Sequence, residues 1–351
     1  MTRQKRKLEH IKYSIETEDV DLADGFSEIH LVHYAVSGIK PSQIDLSVDF
    51  LGKKLEAPIM INAITGGHPE TLEINRLLAM AARKTGIAMA VGSQKAALEN
   101  EKVRETFSVA REEISDGVLL ANLSASCDLG EAVEAVKMIE ADGIQLHLNV
   151  PQELFMEEGE MDFCKVLPNL KRITEGLHMP VIAKEVGFGT SRETVLDLYR
   201  AGVRMIDVGG RGGTNFISIE NARGALKNKE FQDWGIPTAV CLFEGLELGL
   251  PLEFIASGGL RTSHDIVKSL AAGAKIAAIA GPFLKRLIQG SFQELVDYIN
   301  ELKQGLARIM VMIGAASIQD LNRVPMVISG NTAEWLIRRG VDINAYARRH
   351  F

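Results

Sequence analysis

Cysteine is scarce in this chain. The 351 residues include three, Cys127, Cys164 and Cys241, which stand far apart and form no CxxC pair. That pattern gives neither a disulfide framework nor zinc-ligand spacing. Reduced, mostly buried thiols in a cytoplasmic protein are the expectation. Long hydrophobic runs are missing as well. No stretch approaches the roughly 20 apolar residues of a membrane span. The segment Met1–His10 is basic and polar and lacks the apolar core of a signal peptide. Positive charge is in deficit, since 39 Lys+Arg against 46 Asp+Glu leave a formal net charge of −7. Wholesale binding to nucleic acid or to an anionic membrane is therefore not expected. No Walker A sequence and no G-x-G-x-x-G follows a candidate strand. Gly209–Gly213 is glycine-rich but wrongly spaced, which argues against P-loop and Rossmann sites.

What the chain has in abundance is alternation between short apolar runs and helical patterns. The runs are Pro58–Thr65, Ile87–Gly92, Val118–Leu123, Gly143–Val150, Pro180–Val186, Met205–Gly209, Leu252–Ser257 and Lys275–Ala280. Near-continuous apolar strands suit a parallel sheet covered on both faces. Between them, Glu131–Ala141, Glu193–Ala201 and Ser263–Ala272 have helical spacing. Glycines at 86, 143, 202 and 273 read as helix stops. Eight βα units in order predict an α/β fold, a (β/α)₈ TIM barrel. The expected division is an N-terminal extension over 1–57, a barrel core over 58–285 and C-terminal helices over 286–351. Glu28–Val36 is a candidate extra strand or cover. Phe292–Met312 and Ser317–Arg339 read as helical.

Barrels of this kind collect function just past the C-terminal ends of their strands. Every such end here carries polar residues or glycine. Ser257-Gly258-Gly259 and Ala280-Gly281 follow strands seven and eight, the usual place of a phosphate site. Glycines let backbone N–H groups approach phosphate oxygens, although they also simply make tight turns. Lys184 lies inside an apolar strand. It needs an anionic partner or a watery lumen, and pairing with an electron-rich ring, a Schiff base or an ion pair with Glu185 all remain open. Adjacent strand residues face opposite ways, which weakens the last of these. His147, Asn149, Gln152 and Glu153 cluster after strand four. Glu153 suits Mg²⁺ shared with substrate phosphates, or else is an exposed first-turn carboxylate at a helix start. Arg3, Lys5, Arg6 and Lys7 are either a solvated tail or a segment that orders over a diphosphate.

Together these residues resemble the type 2 isopentenyl-diphosphate isomerases, FMN-dependent barrels unrelated to the metal-only type 1 enzymes. The resemblance covers nearly the whole chain. It rests on RKLEH (Arg6–His10), ITGG (Ile64–Gly67), VGSQ (Val91–Gln94), LHLN with PQE (Leu146–Asn149, Pro151–Glu153), KEVGFG (Lys184–Gly189), GGTN (Gly212–Asn215), SGG (Ser257–Gly259) and AGPF (Ala280–Phe283). It implies interconversion of isopentenyl and dimethylallyl diphosphate with reduced FMN, NADPH as reductant and Mg²⁺. By the same resemblance, Ala63, Ile64, Thr65, Ser93, Asn122, Lys184, Thr214, Gly258, Gly259, Ala280 and Gly281 hold FMN. Arg6, Lys7, Ser93, Gln94, Lys95, His147, Asn149 and Gln152 face substrate, and Glu153 carries Mg²⁺. Gln152, His147 and Lys184 are the candidate catalytic residues. A tetramer or octamer is implied as well. The chain departs from the family at Lys95, where arginine is common, at Ile64, where methionine is, and at Asn215-Phe216, where Ser-Trp is. Lysine keeps the charge but loses bidentate phosphate geometry.

Two other readings fit parts of the pattern. An α-hydroxy-acid oxidase or dehydrogenase needs a His base and an Arg pair near strands six and seven, where Arg261 is the nearest candidate. A non-catalytic flavin- or phosphate-binding regulator needs no acid–base groups, which the His147, Gln152, Glu153 cluster opposes.

Overall fold

Eight of the apolar runs form parallel strands that close on themselves. The computed structural model describes residues 9, 11–13, 24–224 and 230–350. The strands are β1 (Ile59–Ile61), β2 (Ala88–Ala90), β3 (Leu119–Ser124), β4 (Gly143–Leu148), β5 (Val181–Glu185), β6 (Met205–Asp207), β7 (Glu253–Ser257) and β8 (Ile276–Ile279). They pair in sequence order, and β8 returns to β1 to complete a closed barrel. The expected (β/α)₈ barrel is the fold observed.

Helices cover the outside: α1 (Thr71–Thr85), α2 (Lys95–Glu99), α3 (Glu105–Glu113), α4 (Leu129–Met138), α5 (Val150–Phe155), α6 (Val166–Gly176), α7 (Arg192–Arg200), α8 (Phe216–Arg223), α9 (Thr238–Leu246), α10 (Ser263–Ala272), α11 (Gly281–Lys285) and α12 (Phe292–Ile313). Their ends follow local chemistry. Helix α1 stops at Gly86 in the left-handed conformation, where the Gly86 N–H meets the Arg83 carbonyl and the Ile87 N–H meets that of Ala82. Asp128 and Thr262 close the N-termini of α4 and α10 as capping boxes. One expected stop is corrected. After α4 the left-handed residue is Glu140, at φ 45°, not Gly143. Gly143 instead opens β4, where a Cβ would press on Leu120, Leu51 and the Pro180 carbonyl.

The barrel interior follows the two-residue period of its strands. Met60, Val118, Leu120, Ile182, Met205, Ile255 and Ile276 fill its lower part. A hairpin of Val48–Phe50 and Lys53–Leu55 plugs the N-terminal mouth, with Phe50 and Leu55 joining that same cluster. A strand inside the expected Glu28–Val36 segment, Ile29–Leu31, pairs antiparallel with Met326–Ile328. The helical expectation for Ser317–Arg339 is therefore corrected in part. That stretch holds a short 3₁₀ turn, this strand and α13 (Gly330–Arg338), followed by α14 (Ile343–Ala347). Among the described residues, no helix is long and apolar enough to cross a membrane.

Candidate functional site

One layer above the apolar filling, the barrel interior turns polar. The residues two positions on from Met60, Leu120, Ile182, Met205 and Ile255 are Asn62, Asn122, Lys184, Asp207 and Ser257. All five are buried. Lys184 Nζ forms an ion pair with Asp207 Oδ2 at 3.0 Å. It also donates to Ser257 Oγ at 3.3 Å and to the Glu185 carbonyl at 3.2 Å. Three acceptors thus surround Nζ within hydrogen-bond distance. The partner is Asp207, on the next strand, and not Glu185. The Glu185 carboxylate turns away to accept from the Phe188 and Gly189 N–H groups at 2.6 and 2.9 Å. Burial pushes its pKa up to about 8.

The polar layer continues sideways as a chain of side-chain hydrogen bonds. Asn62 Nδ2 donates to Asp207 Oδ2 at 2.8 Å, and Gln145 Nε2 donates to Asn62 Oδ1 at 3.0 Å. Asn122 Nδ2 donates to Gln145 Oε1 at 3.1 Å, and His147 Nδ1 lies 3.0 Å from Asn122 Oδ1. Such links are how polar groups survive burial.

Above this layer opens a cavity of about 560 Å³. This size is within the usual range for cofactor sites. One wall is nearly free of side chains. It is built from Gly213–Thr214, Gly258–Gly259 and Ala280–Gly281, at the ends of β6, β7 and β8. The three loops converge: a Cβ on Gly213 would sit 3.0 Å from the Gly259 nitrogen, and one on Gly281 would sit 4.0 Å from Thr214 Oγ1. Gly258 and Gly259 have φ of 103° and 91°. A Cβ on Gly258 would collide with the Gly210 carbonyl, and one on Gly259 would lie 2.7 Å from Asp24 Cβ. The glycines are thus required by loop packing as well as by the cradle they leave. Arg261 ties the loops together, donating to the carbonyls of Gly259 and Gly212. Burial raises the pKa of Asp24 to about 6. On the β1 side, Thr65 Oγ1 lines the cavity as a buried hydroxyl with no hydrogen-bond partner among the described residues. Bare backbone plus an orphaned hydroxyl suits a ligand carrying a phosphate group.

The opposite wall comes from β4 and α5. His147, Asn149, Gln152 and Glu153 all line the cavity. Asn149 Nδ2 donates to Glu153 Oε1 at 2.6 Å, and the Glu160 N–H donates to Glu153 Oε2 at 2.9 Å, so this carboxylate is held in one orientation. Burial raises the thiol pKa of Cys127, another lining residue, to about 12 and makes it a poor nucleophile. Ile11 also lines the cavity, and Glu9 reaches Arg223 at 3.1 Å. Arg223 is half-buried, with its side chain largely covered, and additionally pairs with Glu158 and Glu220.

Of the sequence-derived site residues, Ala63, Ile64, Thr65, Ser93, Lys95, Asn122, His147, Asn149, Gln152, Glu153, Lys184, Thr214, Gly258, Gly259, Ala280 and Gly281 come together around this one cavity. Gln94 does not. It is fully buried behind the wall, donating to the Ala135 carbonyl at 2.8 Å and accepting from the Asn122 N–H at 3.0 Å. Direct substrate contact at Gln94 is therefore a corrected expectation. Lys95 lines the cavity but pairs with Glu131. Arg6 and Lys7 lie outside the described residues. Sequence reasoning missed Asp207, Gln145, Glu131 and Arg223. For Asp207 and Gln145 the signal was present, as polar residues in step with Met205 and His147 on an otherwise apolar strand.

The whole chain, and not the cavity alone, has known relatives. A family model described as FMN-dependent dehydrogenase matches residues 152–327. The chain is 49% identical over 334 residues to an isopentenyl-diphosphate delta-isomerase of Moorella thermoacetica, covering 95% of this chain and 96% of that one. It is 45% identical over 350 residues to an isopentenyl-diphosphate delta-isomerase of a Geobacillus species, covering 99% and 100%. Among solved structures it resembles a mandelate oxidase with a TM-score of 0.65 and 13% identity, over 94% of this chain and 100% of that one. That last likeness speaks for the fold alone.

Proposed function

Since the chain belongs to the isopentenyl-diphosphate delta-isomerase family, we propose that it interconverts isopentenyl diphosphate and dimethylallyl diphosphate with reduced FMN, in isoprenoid biosynthesis. One observation carries this reading: a single cavity joins a side-chain-free cradle to an acid–base cluster. The cradle of Thr214, Gly258, Gly259, Ala280 and Gly281 fits the cofactor phosphate through backbone N–H groups. Ala63, Ile64, Thr65, Ser93, Asn122 and Lys184 would hold the rest of the cofactor. The reaction adds a proton to one carbon of an allylic unit and removes one from another, developing carbocation character. Bound reduced flavin supplies an electron-rich ring against which that charge is stabilised.

The chain's own residues bind and orient. His147, Asn149, Gln152, Ser93 and Lys95 face the space left for a small diphosphate, and Arg6 and Lys7 are proposed to reach it from the N-terminal segment. Ile11 on the cavity wall supports that direction of approach. Glu131, Glu153, Glu158 and Glu160 give the same wall an acidic surplus. A polyanionic substrate there needs cations. Glu153 carrying Mg²⁺ meets that need, with the metal keeping waters and sharing phosphate oxygens. Gln152 is an amide and barely titrates, so its role is to orient or to relay a proton. NADPH as reductant, a tetrameric or octameric assembly and a cytoplasmic setting complete the proposal.

The geometry disfavours the hydroxy-acid oxidase reading. Arg261 is spent on two carbonyls, and His147 is the one histidine among the described lining residues. The test is anaerobic turnover of isopentenyl diphosphate with FMN, NADPH and Mg²⁺. Activity is expected, and Gln152→Ala should lower kcat by about 100-fold while retaining flavin. Protein that takes up no FMN would sink the reading, and an unchanged kcat in Gln152→Ala would remove that residue from the mechanism.

A further inference from the structure

Two residues beneath the cavity, Gln145 and Asp207, are fully buried and contribute nothing to its wall. We propose that they are positioning residues that fix which nitrogen of His147 carries the proton. Each amide in the chain from Asp207 to His147 has two orientations related by a flip, and the groups at its ends decide between them. Asp207, as the carboxylate of the ion pair with Lys184, accepts only. The Ala63 backbone N–H donates only, and it donates to Asn62 Oδ1 at 2.9 Å. Asn62 must therefore aim its Nδ2 at Asp207 and its oxygen at Gln145. A flip would set a donor against the Ala63 N–H and an acceptor against a carboxylate.

The direction then propagates. Gln145 must give its NH₂ to Asn62 and its oxygen to Asn122. Asn122 must give its NH₂ to Gln145, which leaves its oxygen for His147. That oxygen accepts, so Nδ1 of His147 carries a hydrogen. In the neutral ring the lone pair is on Nε2. Gln94 steadies the junction, since its backbone N–H and its side-chain oxygen grip the carbonyl and N–H of Asn122. The consequence is chemical. A neutral His147 accepts at Nε2, as a base or as partner to a donor. It meets an anionic phosphate oxygen through Nε2 only as the imidazolium. This rests on the isomerase reading for its functional meaning, while the tautomer stands on the hydrogen-bond chain.

The deciding measurement is the ¹⁵N spectrum of histidine-labelled full-length protein with FMN. The His147 signals are identified by their loss in His147→Gln. A protonated Nδ1 and a bare Nε2 in the neutral ring are expected. Gln145→Met removes both links while nearly keeping volume. It should give mixed tautomers and lower kcat by about tenfold or more, with flavin content and KM little changed. Gln145→Glu should recover the native tautomer where the new carboxyl is protonated, because its O–H and carbonyl restore the same direction. A neutral ring protonated on Nε2 in the wild-type protein overturns the proposal, even if the Met variant fails to fold. So does a Met variant with native tautomer and native turnover. An inactive protein with Nδ1 protonated would fault the isomerase reading and support the tautomer assignment.

Discussion

Glu185 sits one residue from Lys184 on β5, yet the two side chains have opposite fates. Lys184 faces the lumen and finds Asp207, whereas Glu185 is buried on the outer side with two backbone N–H donors. Its pKa rises from 4.5 to about 8 because burial penalises the charge more than those donors favour it. In the unfolded chain the proton leaves near the ordinary value, while in the folded chain it stays until about pH 8. The folded state therefore binds more protons between those limits, and this group's contribution to stability falls as pH rises through them. Glu185→Gln should remove the dependence. Compared with wild type, the variant should gain a few kcal/mol in urea denaturation between pH 5 and pH 8. A difference that stays flat over that range would show the carboxyl to be charged throughout. The sequence marked Lys184 as unusual. It did not identify the partner, because a strand position says which way a side chain points and not what a neighbouring strand brings to meet it.

At the scale of elements, the loops after β6, β7 and β8 act as one unit. Gly258, Gly259 and Gly281 read as a candidate phosphate site from their place at two consecutive strand ends, whereas Gly213, after β6, did not. The loop-to-loop contacts were not legible, since Gly210 and Gly258 are 48 residues apart and meet only when the barrel closes. Gly258→Ala should be costly on two counts, a positive φ and a collision with the Gly210 carbonyl. The expected result is a stability loss of about 2–3 kcal/mol and purified protein with well under one flavin per chain. Full flavin content read from the visible absorbance would show that the loop relaxes. Gln94 gives the converse lesson. The family resemblance implied a substrate contact there, but two backbone partners hold it behind the wall against Asn122.

At the scale of the molecule, stability and chemistry occupy opposite ends of one barrel. The hairpin that plugs the lower mouth buries Phe50 in the apolar cluster, and Phe50 is not among the residues that line the cavity. Phe50→Ala should cost about 3–5 kcal/mol and lower the urea midpoint. It should leave kcat of the folded enzyme nearly unchanged, and a comparable loss in kcat would mean that the two ends are coupled. The sequence by itself determined the eight βα units and their order, because strand and helix periods and cap residues are local and recur along the chain. It also marked which strand ends carry the polar residues that line the cavity, because polar residues at the edge of an apolar run stand out locally. Closure of β8 on β1, the hairpin plug and the strand joining Ile29–Leu31 to Met326–Ile328 were decided only by tertiary structure. So were the Lys184–Asp207 pair and the hydrogen-bond chain to His147. The reason is the same throughout. These features depend on which distant segments become neighbours, and contacts across tens or hundreds of residues leave no periodic trace in the chain.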